Sequence, residues 1–330
     1  MHVSLKNIND RIFNIKNEDE FQRVSLEVFN YQIQNNDLYR KFSSLTLKNK
    51  KPKKAEEIPF LPIDFFKTNE IKTSNKTVEK IFKSSGTSGL RSKHYVQNLD
   101  IYKKSFITNF KENYGPIKDL CILALLPSYI ENGNSSLIFM IEELIILSEN
   151  KDSGFYNSNF LKISNTIKNR EAKNQKTILI GVTYSLLDFA KDYKQNLNHT
   201  TIIETGGMKG KRKELLKEEI HNILKSSFDV KNVHSEYGMT ELLSQAYSKK
   251  DGIFTTPNWM KVLVRDINDP ITLLANNQTG GVNIIDLANI NSCSFIATQD
   301  IGIKLGGNKF KITGRFSNAD VRGCNLLIQR

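Results

Sequence analysis

One short segment of the chain is rich in hydroxyl and glycine residues. It contains Ser84, Ser85, Gly86, Thr87, Ser88 and Gly89. Glycines let a backbone approach a ligand closely, and hydroxyl and N–H groups can donate to phosphate oxygens, while Arg91 and Lys93 add positive charge. The segment is not a Walker A loop, because Arg91 stands where that motif requires glycine. It predicts a phosphate site, and a Ser/Gly-rich surface turn is the alternative.

A second chemically useful group is the run Tyr237-Gly238-Met239-Thr240-Glu241. The tyrosine ring can stack on a base, the threonine hydroxyl can bond a phosphate, and a carboxylate oxygen can hold Mg²⁺. The run therefore indicates a nucleotide site. A turn with a capping threonine and a solvated glutamate remains the alternative.

Two further positions near the end of the chain suit a nucleotide. Asp300 is predicted at a strand end, where its carboxylate can accept both hydroxyls of a ribose. Gly314 precedes Arg315, whose guanidinium can reach a phosphate or a ribose. An ordinary turn aspartate and a surface arginine are the alternatives.

Composition limits the class of protein. The chain has 330 residues, 39% of them hydrophobic and 25% charged, which is typical of a globular protein. Its formal net charge of +12 favours acidic partners. The cysteines, Cys121, Cys293 and Cys324, form no CxxC pair, so we expect neither a disulfide framework nor a cysteine zinc site.

Several other classes are excluded by missing patterns. The five histidines lack metal-ligand spacing, and neither GxGxxG nor GxSxG occurs, which removes Rossmann dehydrogenases and serine hydrolases. The first residues lack the apolar core of a signal peptide, and no apolar stretch is long enough to span a bilayer. We therefore expect a cytoplasmic protein with no membrane span and no nucleic-acid partner.

The elements that must position these residues alternate along the chain. Residues 1–50 read as amphipathic helix, and the apolar, proline-containing segment 58–66 reads as extended. Strands and helices then alternate, in the predicted order helix 99–113, strand 119–127, helix 135–149, strand 177–182, helix 183–194, strand 200–205 and helix 212–226. This alternation predicts a mainly parallel sheet.

The pattern of predicted elements changes after Gly252. Short strands separated by Gly and Asn turns are predicted over 260–265, 282–287, 294–297 and 310–313. The sequence thus predicts a β-rich subdomain after the alternating region.

Taken in order, these signals resemble the adenylate-forming superfamily of acyl-CoA synthetases. They are the SSGTSG loop, Gly206-Gly207 after a strand, YGMTE, Asp300 and Gly314-Arg315. HSEYGMTE (234–241) and RGCNLL (322–327) are similar to the phenylacetate–CoA ligase branch. IPFLPIDFFK (58–67), SSGTSGLRSK (84–93), LPSYIENGNSSLIFM (126–140) and GRFSNADVRGCNLLI (314–328) resemble the bacterial long-chain acyl-protein synthetases, which activate fatty acids for luminescent fatty-acid reductase. The resemblance covers about residues 55–330.

The resemblance implies a site for ATP and Mg²⁺. Clasping the phosphates would be the role of Ser84, Ser85, Gly86, Thr87, Ser88 and Gly89. Gly206 and Gly207 would border the adenine, Tyr237 would stack on it, and Asp300 would hold the ribose.

It also implies which residues act on the reacting groups. Thr240 would contact the α-phosphate, Glu241 would bind Mg²⁺, and Arg315 would bond the nucleotide at the domain edge. In the acyl-protein synthetases a cysteine near the C-terminus accepts the acyl group, and Cys324 occupies that place here. A small buried residue in a final strand is the alternative for Cys324.

The sequence departs from the superfamily after Arg315. No position matches the catalytic lysine of the usual mobile C-terminal domain, so we expect that domain to be absent or vestigial. Lys93, Arg322 or a partner would then supply the cation, or adenylation would be slow. Ser128, Tyr129 and Ser135 either line the acyl pocket or serve helix capping and core packing.

We therefore expect an α/β protein with the large-domain fold of adenylate-forming enzymes. The expected segments are an N-terminal helical segment (1–54), an ATP- and acyl-binding domain (55–314) and a short tail (315–330). The expected activity is conversion of a carboxylic, in particular a fatty, acid to acyl-AMP and transfer of the acyl group to a thiol. The expected partners are the acid and an acyl acceptor or acyl-reductase protein. A CoA or carrier-protein ligase for an aryl or branched acid, and a non-catalytic nucleotide-binding scaffold, remain alternatives.

Overall fold

The computed structural model describes residues 5–48, 50–85, 89–127, 133–157, 159–206 and 215–316. In chain order its α-helices are α1 Leu5–Ile12, α2 Glu18–Asn35, α3 Asp37–Leu47, α4 Phe65–Thr68, α5 Leu99–Tyr114, α6 Ser136–Ser148, α7 Phe160–Glu171, α8 Thr183–Asp192 and α9 Lys217–Phe228.

The β-strands are numbered in the same way. They are β1 Leu61–Pro62, β2 Lys80–Lys83, β3 Lys93–Val96, β4 Cys121–Leu125, β5 Gly154–Phe155, β6 Thr177–Gly181, β7 Thr200–Glu204, β8 His234–Tyr237, β9 Ala246–Ser248, β10 Phe254–Thr255, β11 Met260–Arg265, β12 Thr279–Asp286, β13 Phe295–Gly306 and β14 Lys309–Arg315.

The chain divides into two compact units. Unit 1 combines Met1–Asn75 with Asn258–Arg330, and unit 2 is Lys76–Pro257. The segment boundaries expected from the sequence, after residues 54 and 314, stay predictions.

Unit 2 is built on a mainly parallel sheet. Strands β5, β4, β6, β7 and β8 lie side by side in that order and run parallel, while β9 pairs antiparallel with β8 and β10 pairs antiparallel with β9. The side chains of β4 and β6 are buried throughout, because helices cover both faces of such a sheet. The predicted α/β class with a mainly parallel sheet is confirmed.

Helices α7, α8 and α9 close one face of this sheet. Their apolar side chains join alternate residues of the strands in one core, among them Leu123, Leu179 and Ile202 from the strands and Phe189 and Phe228 from the helices. The Phe189 and Phe228 rings stack at 5.5 Å. This packing fixes the carboxyl ends of β6, β7 and β8, the edge at which open α/β sheets bind ligands.

Unit 1 holds the β-rich region. Strand β12 pairs antiparallel with β11 and β13, β14 pairs antiparallel with β13, and the short β1 adds parallel to β13. The strands predicted after Gly252 are therefore present, although β12 and β13 are longer than predicted.

The N-terminal helices are part of unit 1. Gln32 of α2 is fully buried, and its amide donates to the carbonyls of Asn289 and Ile290, at 3.1 and 3.0 Å. Its oxygen accepts from the Ser294 N–H at 3.1 Å. One buried amide thus joins the first 75 residues to the last strands of the chain.

Most predicted elements occur, with three differences. Segment 58–66 is extended up to a short helix that starts at Phe65. The helix predicted from residue 212 begins at Lys217. Asp300 is not at a strand end: β13 runs through it from Phe295 to Gly306, because pairing with both β12 and β14 continues beyond it.

Among the described residues, no helix combines the length and the apolar character that crossing a membrane requires.

Candidate functional site

The hydroxyl-rich loop connects the two strands of a β-hairpin in unit 2. Strands β2 and β3 pair antiparallel, and the base of the loop is closed by two hydrogen bonds between Ser84 and Ser92. The Ser84 N–H donates to the Ser92 carbonyl at 3.1 Å, and the Ser92 N–H donates to the Ser84 hydroxyl oxygen at 3.0 Å. The Ser84 side chain therefore shapes the loop that it begins.

The remaining predicted loop residues are only partly described. Ser85 is partly buried, and Gly89 has φ +91°, a conformation that favours glycine. Gly86, Thr87 and Ser88 lie outside the described residues. The phosphate role of this loop stays a prediction.

A buried histidine links this hairpin to the second motif. His94 on β3 is 1% exposed, and its Nδ1 lies 2.8 Å from the carbonyl oxygen of Thr240. The phosphate-loop hairpin and the Tyr237–Glu241 turn are therefore neighbours in unit 2. His94 is therefore a buried contact between two motifs.

The turn itself follows β8 directly. The Leu242 N–H donates to the Met239 carbonyl at 3.1 Å, which closes the turn. Glu241 is 6% exposed and Thr240 is partly buried. A Cβ on Gly238 would meet the carboxylate of Glu236, which would have to move aside.

Tyr237 lies beside an aromatic and cationic group. Its ring centroid is 5.7 Å from that of Phe254, and the Lys217 ammonium lies 4.8 Å from the Phe254 centroid. An aromatic surface with a nearby cation suits a nucleotide base and its negative phosphates.

The predicted adenine border lies at the end of β7. Gly206 has φ +76°, and its N–H donates to Oε1 of Glu204 at 2.7 Å. The Thr183 hydroxyl donates to the same oxygen at 2.5 Å. Gly207 lies outside the described residues.

Two titratable groups around β8 have shifted pKa values. Burial, strengthened by the nearby charge of Glu204, raises the pKa of Glu236 to about 8. Burial, with the charge of Lys249, lowers the pKa of His234 to about 4. Both groups therefore favour the neutral form near pH 7.

The third pair of predicted residues lies in unit 1. Asp300 on β13 and Arg315 on β14 are directly opposite one another, with Arg315 Nε 3.8 Å from Asp300 Oδ1. The Arg315 side chain is 69% exposed, whereas that of Asp300 is 16% exposed. The structure thus brings the predicted ribose carboxylate and the predicted guanidinium together.

The described cysteines are poor nucleophiles. Cys121 and Cys293 are both fully buried, and burial raises the pKa of the first to about 11 and of the second to about 12. Cys324 and the candidate cation Arg322 lie outside the described residues.

Of the residues expected at the acyl pocket, one is described. Ser135 caps α6, because its hydroxyl accepts from the Ile138 N–H at 3.4 Å, as the capping alternative predicted. Ser128 and Tyr129 lie outside the described part of the chain.

Metal binding by protein groups alone finds no support in the described residues. Among them, no three or more His, Cys, Asp or Glu side chains are grouped so that they could hold an ion. A single carboxylate such as Glu241 suits Mg²⁺ that arrives with a nucleotide, since that ion is commonly bound by one or two carboxylates and substrate phosphates.

The residues that hold the motifs in place were not predicted from the sequence. Glu204, Thr183 and Ser235 were not singled out, although Glu204 is an acidic residue that ends an otherwise uncharged strand, TTIIE. That position, immediately before a glycine turn, was the available signal.

The sequence is similar to those of known proteins. The sequence profile of the acyl-protein synthetase (LuxE) family matches residues 11–330. A curated protein of Vibrio harveyi, the long-chain-fatty-acid–luciferin-component ligase, is 26% identical over 327 residues, covering 92% of this chain and 86% of that protein. These matches confirm the resemblance predicted from the motifs.

Solved structures of adenylate-forming ligases share the fold. ATP-bound MatB from Rhodopseudomonas palustris matches with a TM-score of 0.56 at 16% identity, over 73% of this chain and 49% of that chain. The open conformation of 2-hydroxyisobutyryl-CoA ligase, in complex with 2-HIB-AMP and CoA, matches with a TM-score of 0.64 at 10% identity, over 92% and 72% of the two chains. The chain thus spans about half the length of MatB.

Proposed function

Because the chain belongs to the acyl-protein synthetase family, we propose that it is an ATP-dependent acid–thiol ligase. A carboxylate oxygen of a fatty acid attacks the α-phosphorus of ATP, the bond to the β-phosphate oxygen breaks, and pyrophosphate leaves. The product is acyl-AMP. Two structures of similar fold support ATP as the substrate. MatB was solved with ATP bound, and 2-hydroxyisobutyryl-CoA ligase was solved with an acyl-AMP bound.

One observation carries this proposal. The His94–Thr240 contact places the hydroxyl-rich hairpin beside the Tyr237–Glu241 turn, next to the carboxyl end of β8. Loop donors for phosphates and an aromatic, hydroxyl and carboxylate group for the rest of a nucleotide are then available in one region of unit 2.

Within that region each residue has a proposed task. The loop from Ser84 to Gly89 donates to the phosphates, Thr240 bonds the α-phosphate, and Tyr237 stacks on the adenine beside Gly206. Mg²⁺, when bound with ATP, neutralises phosphate charge, and Glu241 would hold it. Asp300 and Arg315 belong to unit 1, and their roles toward the ribose and the nucleotide stay predictions from the sequence.

The acyl group then passes to a thiol. The thiolate attacks the acyl carbonyl carbon of acyl-AMP, a thioester forms, and AMP leaves. Among the chain's cysteines, Cys121 and Cys293 are excluded from this role by burial, which leaves Cys324 as the proposed acceptor on the protein. Cys121 and Cys293 are free cysteines. Free cysteines suit the reducing cytoplasm, which is the proposed compartment.

A partner completes the proposed reaction sequence. A thioester is an activated acyl group, and a reductase or transferase that accepts it would regenerate the thiol. The cation that stabilises the transferring phosphoryl group is proposed to be Lys93, which is exposed on β3 beside the loop, or Arg322.

Pyrophosphate exchange into ATP tests the proposal. The purified protein is incubated with ATP, Mg²⁺ and labelled pyrophosphate over a panel of linear, branched and aryl acids. Exchange that depends on a linear fatty acid is expected. Exchange only with aryl or branched acids would point to a different ligase, and ATP binding with no exchange for any acid would indicate a nucleotide-binding scaffold.

A further inference from the structure

A closed ring of hydrogen bonds surrounds the Gly206 turn. Glu204 Oε1 accepts from the Gly206 N–H at 2.7 Å and from the Thr183 hydroxyl at 2.5 Å. The Thr183 N–H in turn donates to the Gly206 carbonyl at 3.1 Å. Gly206, which has a positive φ, is therefore held through both its backbone N–H and its carbonyl.

The second oxygen of Glu204 faces the neighbouring elements. The Ser235 hydroxyl donates to Oε2 at 3.4 Å, and the Lys217 ammonium and the His221 ring lie 3.6 and 3.9 Å from it. The Ser235 hydroxyl also lies 3.3 Å from His221 Nε2. Glu204 thus contacts the starts of α8 and α9 and the adjacent strand β8.

Burial makes this carboxylate an effective support. Its side chain is 5% exposed. Burial alone would raise the pKa of Glu204, but the His221 ring, the Lys217 charge and the Thr183 hydroxyl together lower it to about 2. The group therefore stays ionised at neutral pH, and charged acceptors form the stronger hydrogen bonds.

The same residue reaches both segments to which adenine contacts are assigned. Gly206 follows it by two positions, and Ser235 lies opposite it in the parallel pairing of β7 and β8, two positions before Tyr237. A change at Glu204 would release the glycine turn and loosen the strand that carries the stacking ring.

We infer that Glu204 is a positioning residue that presents the Gly206 turn and the Tyr237 ring to the adenine of ATP. The inference rests on the proposed function, because it names ATP as the ligand. Glu204 makes no step of the chemistry itself, so its contribution belongs to nucleotide binding.

Replacing Glu204 tests this role by separating KM from kcat. Glu204→Ala should raise KM for ATP in pyrophosphate exchange about tenfold or more, equivalent to about 1.4 kcal/mol, with kcat within about twofold. Glu204→Gln keeps an amide oxygen for Gly206 and Thr183, so it should restore KM to within about threefold of the wild type. Thr183→Val, which removes one donor of the ring, should give an intermediate KM.

Glu171, the last residue of α7, provides a matched control because its carboxylate holds the start of β7, whereas Glu204 lies at the end of that strand. Its carboxylate accepts from the Asn198 and His199 N–H groups at 2.9 and 3.1 Å and from the Thr200 hydroxyl at 2.6 Å. Glu171→Ala should therefore lower thermal stability, as Glu204→Ala should, without changing KM for ATP.

Direct ATP binding by titration calorimetry distinguishes the outcomes. Equal KM and Kd shifts in the Glu171 and Glu204 variants, or an unchanged Kd in Glu204→Ala, would overturn the inference. A wild-type protein that binds ATP but performs no exchange would refute the proposed ligase, while the Kd of the Glu204 variants would still decide their role. A wild-type protein that binds no ATP would overturn both.

Discussion

At the scale of single residues, burial decides which side chains can take part in the chemistry. Cys121 and Cys293 are fully buried and burial raises their pKa values, so their thiolates are scarce at neutral pH. Glu241 is nearly buried yet belongs to the turn that carries the proposed nucleotide contacts. These differences lead to separate predictions for the two halves of the reaction.

Glu241→Gln should stop acid activation. The amide keeps the size of the side chain but loses the negative charge that would hold Mg²⁺ against the phosphates. Pyrophosphate exchange should fall by about 100-fold or more, as when a main electrostatic contact is lost. Glu171→Gln, at a carboxylate remote from the motifs, should retain exchange, and full exchange in Glu241→Gln would refute the assigned role.

Cys324→Ser should separate transfer from activation. Exchange should remain near the wild-type rate, because formation of acyl-AMP needs no thiol. Incubation with ATP and tetradecanoate should give an acyl adduct, sensitive to hydroxylamine, on the wild type and on a Cys121→Ala control, but not on Cys324→Ser. An adduct that persists in Cys324→Ser and maps elsewhere would contradict the proposed acceptor.

Glu236 should make stability fall with rising pH. Its pKa of about 8 in the folded chain exceeds its usual 4.5, so between these values the folded chain binds more protons than the unfolded chain. Its contribution to stability is therefore lost as pH rises through that window, by at most about 1.4 kcal/mol per pH unit. Urea denaturation from pH 5 to 9 should show Glu236→Gln gaining on the wild type as pH rises, and parallel curves would count against this.

At the scale of elements, the motifs work only because long-range contacts hold them together. His94 and Thr240 are 146 positions apart in sequence, yet they bond across unit 2. Glu204 and Ser235 similarly meet through the pairing of β7 with β8.

Replacing His94 tests this connection between the hairpin and the turn. His94→Ala leaves the partly buried Thr240 carbonyl without that contact, which should cost about 0.5–1.5 kcal/mol of stability. Because the loop and the turn are then no longer tied, kcat for exchange should fall at least about tenfold at temperatures where the variant is folded. His199→Ala serves as the control for loss of an imidazole, and unchanged kcat in His94→Ala would show that the contact only packs.

Local patterns in the sequence predicted the elements whose signals are local. Continuous apolar runs identified β4 and β6, and serine capping identified the start of α6. Strands β8 and β9 were missed because HSEY and AYS are short and partly polar, and only pairing with their neighbours makes them strands.

The candidate motifs could be identified from the sequence, whereas the residues that hold them in place could not. The motifs containing Ser84, Tyr237, Glu241 and Asp300 were readable from residue types and order. The prediction that Asp300 ends a strand was wrong, since the pairing on both sides of β13 is set by segments distant in sequence. For the same reason the tasks of Glu204 and His94 could not be derived from their local sequence.

At the scale of the whole molecule, the chain combines a family assignment over residues 11–330 with the fold of adenylate-forming ligases. Its net charge of +12 suits binding of polyanionic ATP. In the proposed reaction a carboxylate attacks the α-phosphorus of ATP, and the remaining steps depend on the bond formed there.

Transfer of an oxygen atom from the acid to AMP is a direct test of attack at the α-phosphorus. The protein is incubated with ATP, Mg²⁺ and tetradecanoate carrying ¹⁸O in its carboxyl group, with hydroxylamine present to release the acyl group. Attack at the α-phosphorus predicts AMP that contains one ¹⁸O atom, as measured by mass spectrometry, and no labelled AMP from Glu241→Gln. Turnover that produces ADP and labelled phosphate, or AMP without the label, would contradict the account.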